Sequence, residues 1–189
     1  RYILTKPSLA KLNLPQKSIP KPKPKTLADK WILSELAKII ASTAKNIETF
    51  KFSKGGEELY EFTWSKLADW YLEIAKIEEG KDEILLYILE KLLIIWHPFC
   101  PFVTEAIWQQ FKANSVMKSA WPKSTKVKVE AMDFQDVREI ISAIRNFRSE
   151  RKVSPALVLN FSLKTASKAV KDNLHLIERN LQHLRIVQA

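Results

Sequence analysis

The stretch Leu92–Trp108, LLIIWHPFCPFVTEAIW, constrains the fold more than any other part of the chain. An apolar run ends at His97, and Pro98 and Pro101 then bracket Phe99 and Cys100. Proline has no amide donor and pushes the residue before it out of helical geometry, so a helix must end near His97. Pro101 suits the first turn of a second helix, where an amide would have no partner anyway. Glu105 is expected in that first turn, favoured by the helix dipole. The spacing predicts a rigid corner between two buried helices. Cys100 and the phenylalanines, Phe102 among them, would fill the core, and His97 would bond the last carbonyls of the first helix.

Helical patterns lead up to this corner. Thr26–Leu27–Ala28–Asp29 matches a capping box. Leu33, Leu36, Ile40, Thr43, Ile47 and Phe50 then recur every three or four residues, as one face of a helix does. After a short connection Ser53 would cap a second helix. Tyr60, Trp64, Leu67, Tyr71 and Ile74 form one stripe on it, widened by Leu59, Phe62, Trp70 and Ile77. Gly80 breaks it. A third helix, from about Lys81 to Trp96, is apolar nearly all round and should be the most buried. The fourth runs from the corner to about Lys112. Short connections make neighbouring helices antiparallel. Only three glycines in the chain favour long helices over a turn-rich β fold.

The pattern changes after residue 112. Residues 113–133 look irregular, with Trp121–Pro122 as a fixed point, and Val127 and Val129 suggest a short edge strand. Asp133 would cap a fifth helix bearing Phe134, Val137, Ile141 and Ile144 on one side. Residues 157–163 alternate with the period of a strand. Further helices are expected around Lys168–Leu174 and Glu178–Leu184, with a strand beginning at Arg185. The fold class is therefore mainly α: an antiparallel helical bundle followed by a small, truncated α/β element. The expected divisions are a basic, proline-rich linker over 1–26, the bundle over 27–133, and the fifth helix with the α/β appendage over 134–189.

Charge is unevenly spread. Residues 1–26 carry seven basic and no acidic residues, whereas residues 27–97 carry nine basic against thirteen acidic. Residues 134–189 carry ten against five. A polyanionic partner would meet the two ends of the chain rather than its middle. The KPKPK run at 21–25 reads as an extended linker, or as a phosphate contact. The lone Cys100 excludes an internal disulfide framework and points to a cytoplasmic setting. Ile84–Trp96 is too short and too charged to span a bilayer, and no signal-peptide pattern is present.

Marks of catalysis are lacking. Gly55–Gly56 has no following lysine and hydroxyl residue, so it is not a phosphate loop. His97, His175 and His183 lie far apart with one cysteine between them, so no metal constellation is expected. Glu57, Glu58 and Glu61 read as surface charge at a helix start. Two candidates for nucleic-acid contact stand out. Arg138, Ser142, Arg145, Ser149 and Lys152 share a face of the fifth helix, flanked by Arg148 and Arg151. Arginine forks suit phosphates, although the same face could simply be solvated and paired with Glu139 and Glu150. Phe50, Lys51, Phe52 and Lys54 interleave rings with cations. Those rings could stack unpaired bases, or close the end of the core.

Several pieces occur together in one order: DKWILSEL (29–36), LYEFTWSKLADWYLEIAK (59–76), LLIIWHPFCPFVTEAIW (92–108), Trp121–Pro122 and IRNFRSERKVSP (144–155). This ordered set resembles the tRNA anticodon-binding region of class I aminoacyl-tRNA synthetases of the valyl type. The isoleucyl and leucyl types share the bundle design. The resemblance implies a tRNA-binding fragment of a cytoplasmic enzyme that attaches valine to its tRNA, using ATP with magnesium. The family's catalytic signatures, a HIGH-type tetrapeptide and a KMSKS-type loop, are absent from this sequence. It therefore implies no catalytic residue and no cofactor here. On this view phosphates meet Arg138, Arg145, Arg148, Arg151 and Lys152, while anticodon bases lie near Phe50, Lys51, Phe52 and Lys54. A helical protein-interaction module without an RNA role is the competing reading.

Overall fold

The computed structural model describes residues 19–110, 112–124, 132–154, 157–163, 167–181 and 184–188. Helix α1 (Leu27–Glu48) begins on the expected capping box. The Thr26 hydroxyl accepts the Asp29 amide at 3.4 Å, and the Asp29 carboxylate accepts the Thr26 amide at 3.0 Å. A three-residue connection leads to α2 (Phe52–Glu61), which packs back along α1. Gly55 permits this approach, because a Cβ there would stand 3.3 Å from the Asn46 Cβ and 3.5 Å from the Phe99 ring.

Helix α2 runs directly into a wider π-helical stretch, Phe62–Leu72, and then into α3 (Glu73–Ile77). Its inward positions are Leu59, Phe62, Leu67, Tyr71 and Ile74. The step of five from Phe62 to Leu67 matches the longer turn of a π-helix. It displaces the even stripe that an α-helix would give. Tyr60 and Trp64, expected in that stripe, are instead 56% and 58% exposed and stack on each other at 5.5 Å. Thr63 sits at the change of winding. Its hydroxyl donates to the Leu59 carbonyl at 2.8 Å and accepts the Trp96 indole N–H at 3.0 Å. Such back-bonding perturbs a regular helical ladder.

Gly80 ends this rod with a φ of +74°, a left-handed value at which glycine carries no steric penalty. Helix α4 (Asp82–Trp96) follows and is central, as its composition predicts: Ile84–Ile88 and Glu90–Ile95 are all buried. The proline corner then leads into α5 (Pro101–Trp108), with Pro101 in its first turn.

The corner differs from expectation in its packing. Helix α5 is two turns long and buries Thr104 and Trp108, one turn apart on a single face. Phe102 and Val103 fall on the opposite face and are 88% and 61% exposed; Cys100 is exposed too. Phe99 alone of the corner phenylalanines packs against the core. His97 does not bond a carbonyl through its ring. Its Nδ1 stands 2.7 Å from the Thr104 hydroxyl, which donates to the Cys100 carbonyl at 2.8 Å. Glu105 falls outside the first turn. It accepts the Ser115 hydroxyl and the Val116 amide, each at 3.0 Å, and so ties the following 3-10 turn (Val116–Lys118) to α5. The helix stops at Trp108, short of Lys112, where the Trp108 indole donates to the Asn114 carbonyl at 2.7 Å.

Helix α6 (Met132–Glu150) lies against α1. Phe134 meets Trp31 at 4.6 Å, and Val137, Ile141 and Ile144 are buried beside it. Strand β1 (Leu159–Leu163), helices α7 (Lys168–Asp172) and α8 (Leu174–Asn180), and strand β2 (Leu184–Gln188) complete the chain. The two strands pair in parallel, Leu159 opposite Leu184. This is the small α/β element the sequence predicts. One buried cluster joins it to the bundle, running from Ala28 through Phe134 to Val170, Ile177 and Leu181. The expected strand at Val127 and Val129 lies outside the described residues.

Two buried ionic networks fix the helices. Lys81 Nζ lies 2.7 Å from Asp29 Oδ1 and 2.5 Å from Glu78 Oε2. Tyr71 donates to the same Asp29 oxygen at 2.8 Å. Burial alone would raise the Asp29 pKa; Lys81, the amides of Thr26 and Lys25, and Tyr71 together hold it below the ordinary value. Burial, with the Asp29 charge beside it, pushes the Tyr71 hydroxyl upward. In the second network Glu90 is 1% exposed and accepts Lys91 at 2.6 Å and Lys112 at 3.1 Å. It also accepts the Ile19 amide at 3.0 Å, which clamps the leading segment onto the middle of α4. Among the described residues no helix is long and apolar enough to cross a membrane.

Candidate nucleic-acid interface

At the corner end of the bundle, α1 closes with a Schellman pattern. The Phe50 amide donates to the Ile47 carbonyl at 3.1 Å and the Lys51 amide to the Asn46 carbonyl at 2.8 Å. In this motif the residue just past the helix takes a left-handed conformation and is usually glycine. Here it is Phe50, with a φ of +56°. Its ring is 81% exposed and stands edge-on to Phe52 at 6.1 Å. Neither ring closes the core, so the expectation that they seal the end of the bundle is not met. Lys51 and Lys54 flank them in solvent, with Lys54 only loosely associated with Glu58 at 3.8 Å. The Glu58 carboxylate is held chiefly by the Asn46 amide at 3.0 Å and by the Ser42 hydroxyl. Exposed Phe102 and Val103, on the far side of the proline corner, were missed by the sequence reading. Only the two-turn length of α5 would have signalled them.

The basic face of α6 divides. The Arg138 guanidinium lies between two indoles, 5.1 Å from the Trp31 ring and 4.9 Å from the Trp70 ring. Burial lowers its pKa, and the Glu35 charge opposes that shift. Its Nε is buried without a hydrogen-bond partner. Arg138 is half-buried and thus packs α6 onto the two indoles. Arg145 is exposed and stands over the same Trp70 ring at 5.3 Å. Arg148 reaches the Leu157 carbonyl at 3.4 Å, and Arg151 stands over the Phe147 ring at 5.9 Å. Lys152 is exposed, with a φ of +50°. It closes α6 as Phe50 closes α1: its amide meets the Ser149 carbonyl at 3.1 Å, and the Val153 amide meets the Arg148 carbonyl at 2.9 Å.

The two candidate groups are not one patch. Arg138 and Arg145 sit near Trp31 and Trp70, while Phe50 lies at the other end of α1, about 28 Å away by helical rise. The arrangement offers an aromatic and basic tip at one end, and a separate arginine-bearing flank on α6. Exposed rings beside cations can stack unpaired bases while the cations meet phosphates. Among the described residues no group of three or more histidine, cysteine or acidic side chains could hold a metal ion.

Comparison with known proteins bears on this geometry. The family described as the anticodon-binding domain of tRNA ligase matches residues 29–163. The chain is 38% identical over 173 residues to a valine–tRNA ligase of Geobacter sulfurreducens, covering 81% of this chain and 19% of that protein. It is 34% identical over 164 residues to the valine–tRNA ligase of Bacillus licheniformis, covering 79% and 19%. With the valine–tRNA ligase of Streptococcus pyogenes it shares 33% identity over 181 residues, covering 86% and 20%. The chain therefore spans about a fifth of the length of these relatives.

Proposed function

Because this chain belongs to the anticodon-binding domain family of the tRNA ligases, we propose that it binds the anticodon arm of a tRNA on behalf of a valine–tRNA ligase. Phe50 and Phe52 receive unpaired loop bases, and Lys51 and Lys54 contact the phosphates around them. Arg145, Arg148, Arg151 and Lys152 form a second phosphate-facing flank. Arg138 holds α6 to the bundle and acts only through that. The longer protein attaches valine to tRNA(Val) in the cytoplasm, with ATP and magnesium acting in parts that this chain does not contain.

One observation carries the reading: Phe50 occupies a left-handed position where glycine is the usual residue, and its ring is almost wholly exposed. Strain of this kind persists mainly where function requires it. A tip for RNA explains both the strain and the exposure. The valine assignment rests on the ordered motifs and on the relatives' names.

The test is a titration of the chain with an anticodon stem–loop bearing a valine anticodon, and with isoleucine and leucine counterparts. Binding that prefers the valine loop and weakens with added salt supports the reading. Preference for another loop reassigns the chain to a sibling enzyme. No binding at low salt favours a protein-interaction module.

A further inference from the structure

A cleft of about 460 Å³ opens on the side of the bundle and shares no lining residue with the aromatic tip. Its floor is the face of α4 bearing Tyr87, Glu90, Lys91 and Ile94. Its walls are Trp108, the 112–123 segment and the leading residues Ile19 and Lys21. Along α4 the lining runs from Tyr87, about 13 Å before Trp96, to Ile94, about 3 Å before it. The volume falls within the range of small-molecule sites.

The lining is unbalanced in charge. Among the described residues of the lining, five lysines, at 21, 91, 112, 118 and 123, face one carboxylate, Glu90. That carboxylate is already shared by Lys91 and Lys112. The two ammonium groups also stand over rings of the lining, Lys91 lying 5.0 Å over the Tyr87 ring and Lys112 5.8 Å over the Trp108 ring. Cations are therefore fixed at the floor of the cleft, and Lys118 and Lys123 stand at its rim with exposed side chains. The same lining also holds apolar surfaces, Ile94, Pro122 and the Trp121 ring, which is 36% exposed. A purely inorganic anion would leave these apolar walls wet. A planar ring carrying a phosphate uses both kinds of lining.

We propose that this cleft binds a nucleotide, with the phosphate between Lys118, Lys123 and the floor lysines and the base against Trp121. The nucleotide is either free in solution or a single unpaired unit of an RNA strand. This site is independent of the aromatic tip, and no residue is common to the two.

Calorimetric titration of the chain with adenosine 5′-monophosphate, adenosine, inorganic phosphate and a hexanucleotide RNA tests this. The same titrations are run on a Lys118→Glu/Lys123→Glu variant and on Trp121→Ala. The two lysines are exposed, so their variant should melt as the parent chain does; Trp121→Ala is titrated at a temperature where its own melt shows it folded. Adenosine monophosphate should bind at least about tenfold more tightly than adenosine or phosphate alone, since each charge-assisted contact is worth that much. The double lysine variant should weaken it about tenfold or more, and Trp121→Ala should weaken it while leaving phosphate unchanged. Binding of the free nucleotide assigns the first source. Binding of the hexanucleotide alone, lost in both variants, assigns the second. The inference is overturned if neither ligand responds to either variant, or if phosphate alone binds as well as the nucleotide. A stem–loop that still binds the double lysine variant keeps the anticodon reading separate from this one.

Discussion

Phe50 and Lys152 occupy the same position of the same motif at the ends of two different helices. Each follows its helix in a left-handed conformation, with φ of +56° and +50°, and among the described residues they are the only non-glycine positions with positive φ. In each, the next amide reaches back to close a Schellman pattern, Lys51 to Asn46 and Val153 to Arg148. Both also belong to the groups proposed to meet RNA.

Replacing either by glycine should therefore separate stability from binding. A left-handed conformation costs a non-glycine residue about 1–2 kcal/mol, and part of that returns with glycine. Phe50→Gly and Lys152→Gly should each raise the urea midpoint by an amount equivalent to up to about 1 kcal/mol. Phe50→Gly should also weaken stem–loop binding by about 1–3 kcal/mol, the worth of one stacked base. A variant that is stabilised and binds RNA as before would show that the ring plays no part in recognition.

Arg138 should behave unlike its neighbours on α6. Its guanidinium is held between Trp31 and Trp70, so Arg138→Ala should cost about 2 kcal/mol of stability. Arg145→Ala and Arg148→Ala should instead lower the affinity for the stem–loop and flatten its salt dependence. Urea melts and anisotropy titrations across a salt series distinguish the two. Equal losses of salt dependence for Arg138→Ala and Arg145→Ala would return Arg138 to the RNA-facing set.

Breaking the Lys81–Asp29 pair from one side should be severe. Lys81→Met leaves the Asp29 carboxylate buried with only neutral donors, and should destabilise by about 3–5 kcal/mol. The double variant Asp29→Asn/Lys81→Met should recover part of this, since the buried Asp29 charge is then gone and only Glu78, which is less deeply buried, still lacks its lysine. A double variant as unstable as the single one would show that the network's hydrogen bonds, rather than its charges, dominate.

Acid should unfold the chain through the same groups. In Asp29, Glu35 and Glu90 burial alone would raise the pKa, but lysines and hydrogen bonds hold each below the ordinary carboxylate value. A group depressed in the folded state stabilises fully above its unfolded pKa and loses that contribution as pH falls through the folded value. The melting temperature should thus be nearly flat from neutrality to about pH 5, and should drop steeply below about pH 4. Glu90→Gln should lower stability at neutral pH and shallow the acid limb. A midpoint that falls mainly between pH 7 and pH 6 would point to histidines instead.

The corner supplies the contrast between what periodicity reveals and what it hides. Pro98 and Pro101 mark the bend correctly, because proline's effect on the backbone is local. The depth of Phe102 is not a local property. It depends on how long α5 is and which face it turns inward, and that is settled by Trp108 and Thr104. Phe102→Ala should change stability by less than about 0.5 kcal/mol, as exposed substitutions do. Phe62→Ala, at a ring 2% exposed, should cost about 3–5 kcal/mol. Equal effects would contradict the packing described.

The candidate site was legible in a similar, partial way. Interleaved rings and lysines at Phe50–Lys54 were visible in the sequence, but the left-handed turn that pushes Phe50 outward was not. The charge stripe on α6 was visible as well. Its division was not, because Arg138 is half-buried on tryptophans that lie over 60 residues away in sequence. The lysine-lined cleft draws on four separate stretches of chain, so no local pattern could have announced it.

The π-helical stretch has a consequence for how this fold tolerates length change. Its step of five between Phe62 and Leu67 places one more residue in the turn than an α-helix would hold. Removing Ser65, which is exposed there, would narrow the turn toward α geometry while the buried residues on either side keep their neighbours. Removing a residue from α4 would instead rotate half of a fully packed helix out of register. The widened turn is thus a place where the gene can lose a codon and the bundle still fold. A chain lacking Ser65 should remain soluble and melt cooperatively, whereas a chain lacking Leu89 should not.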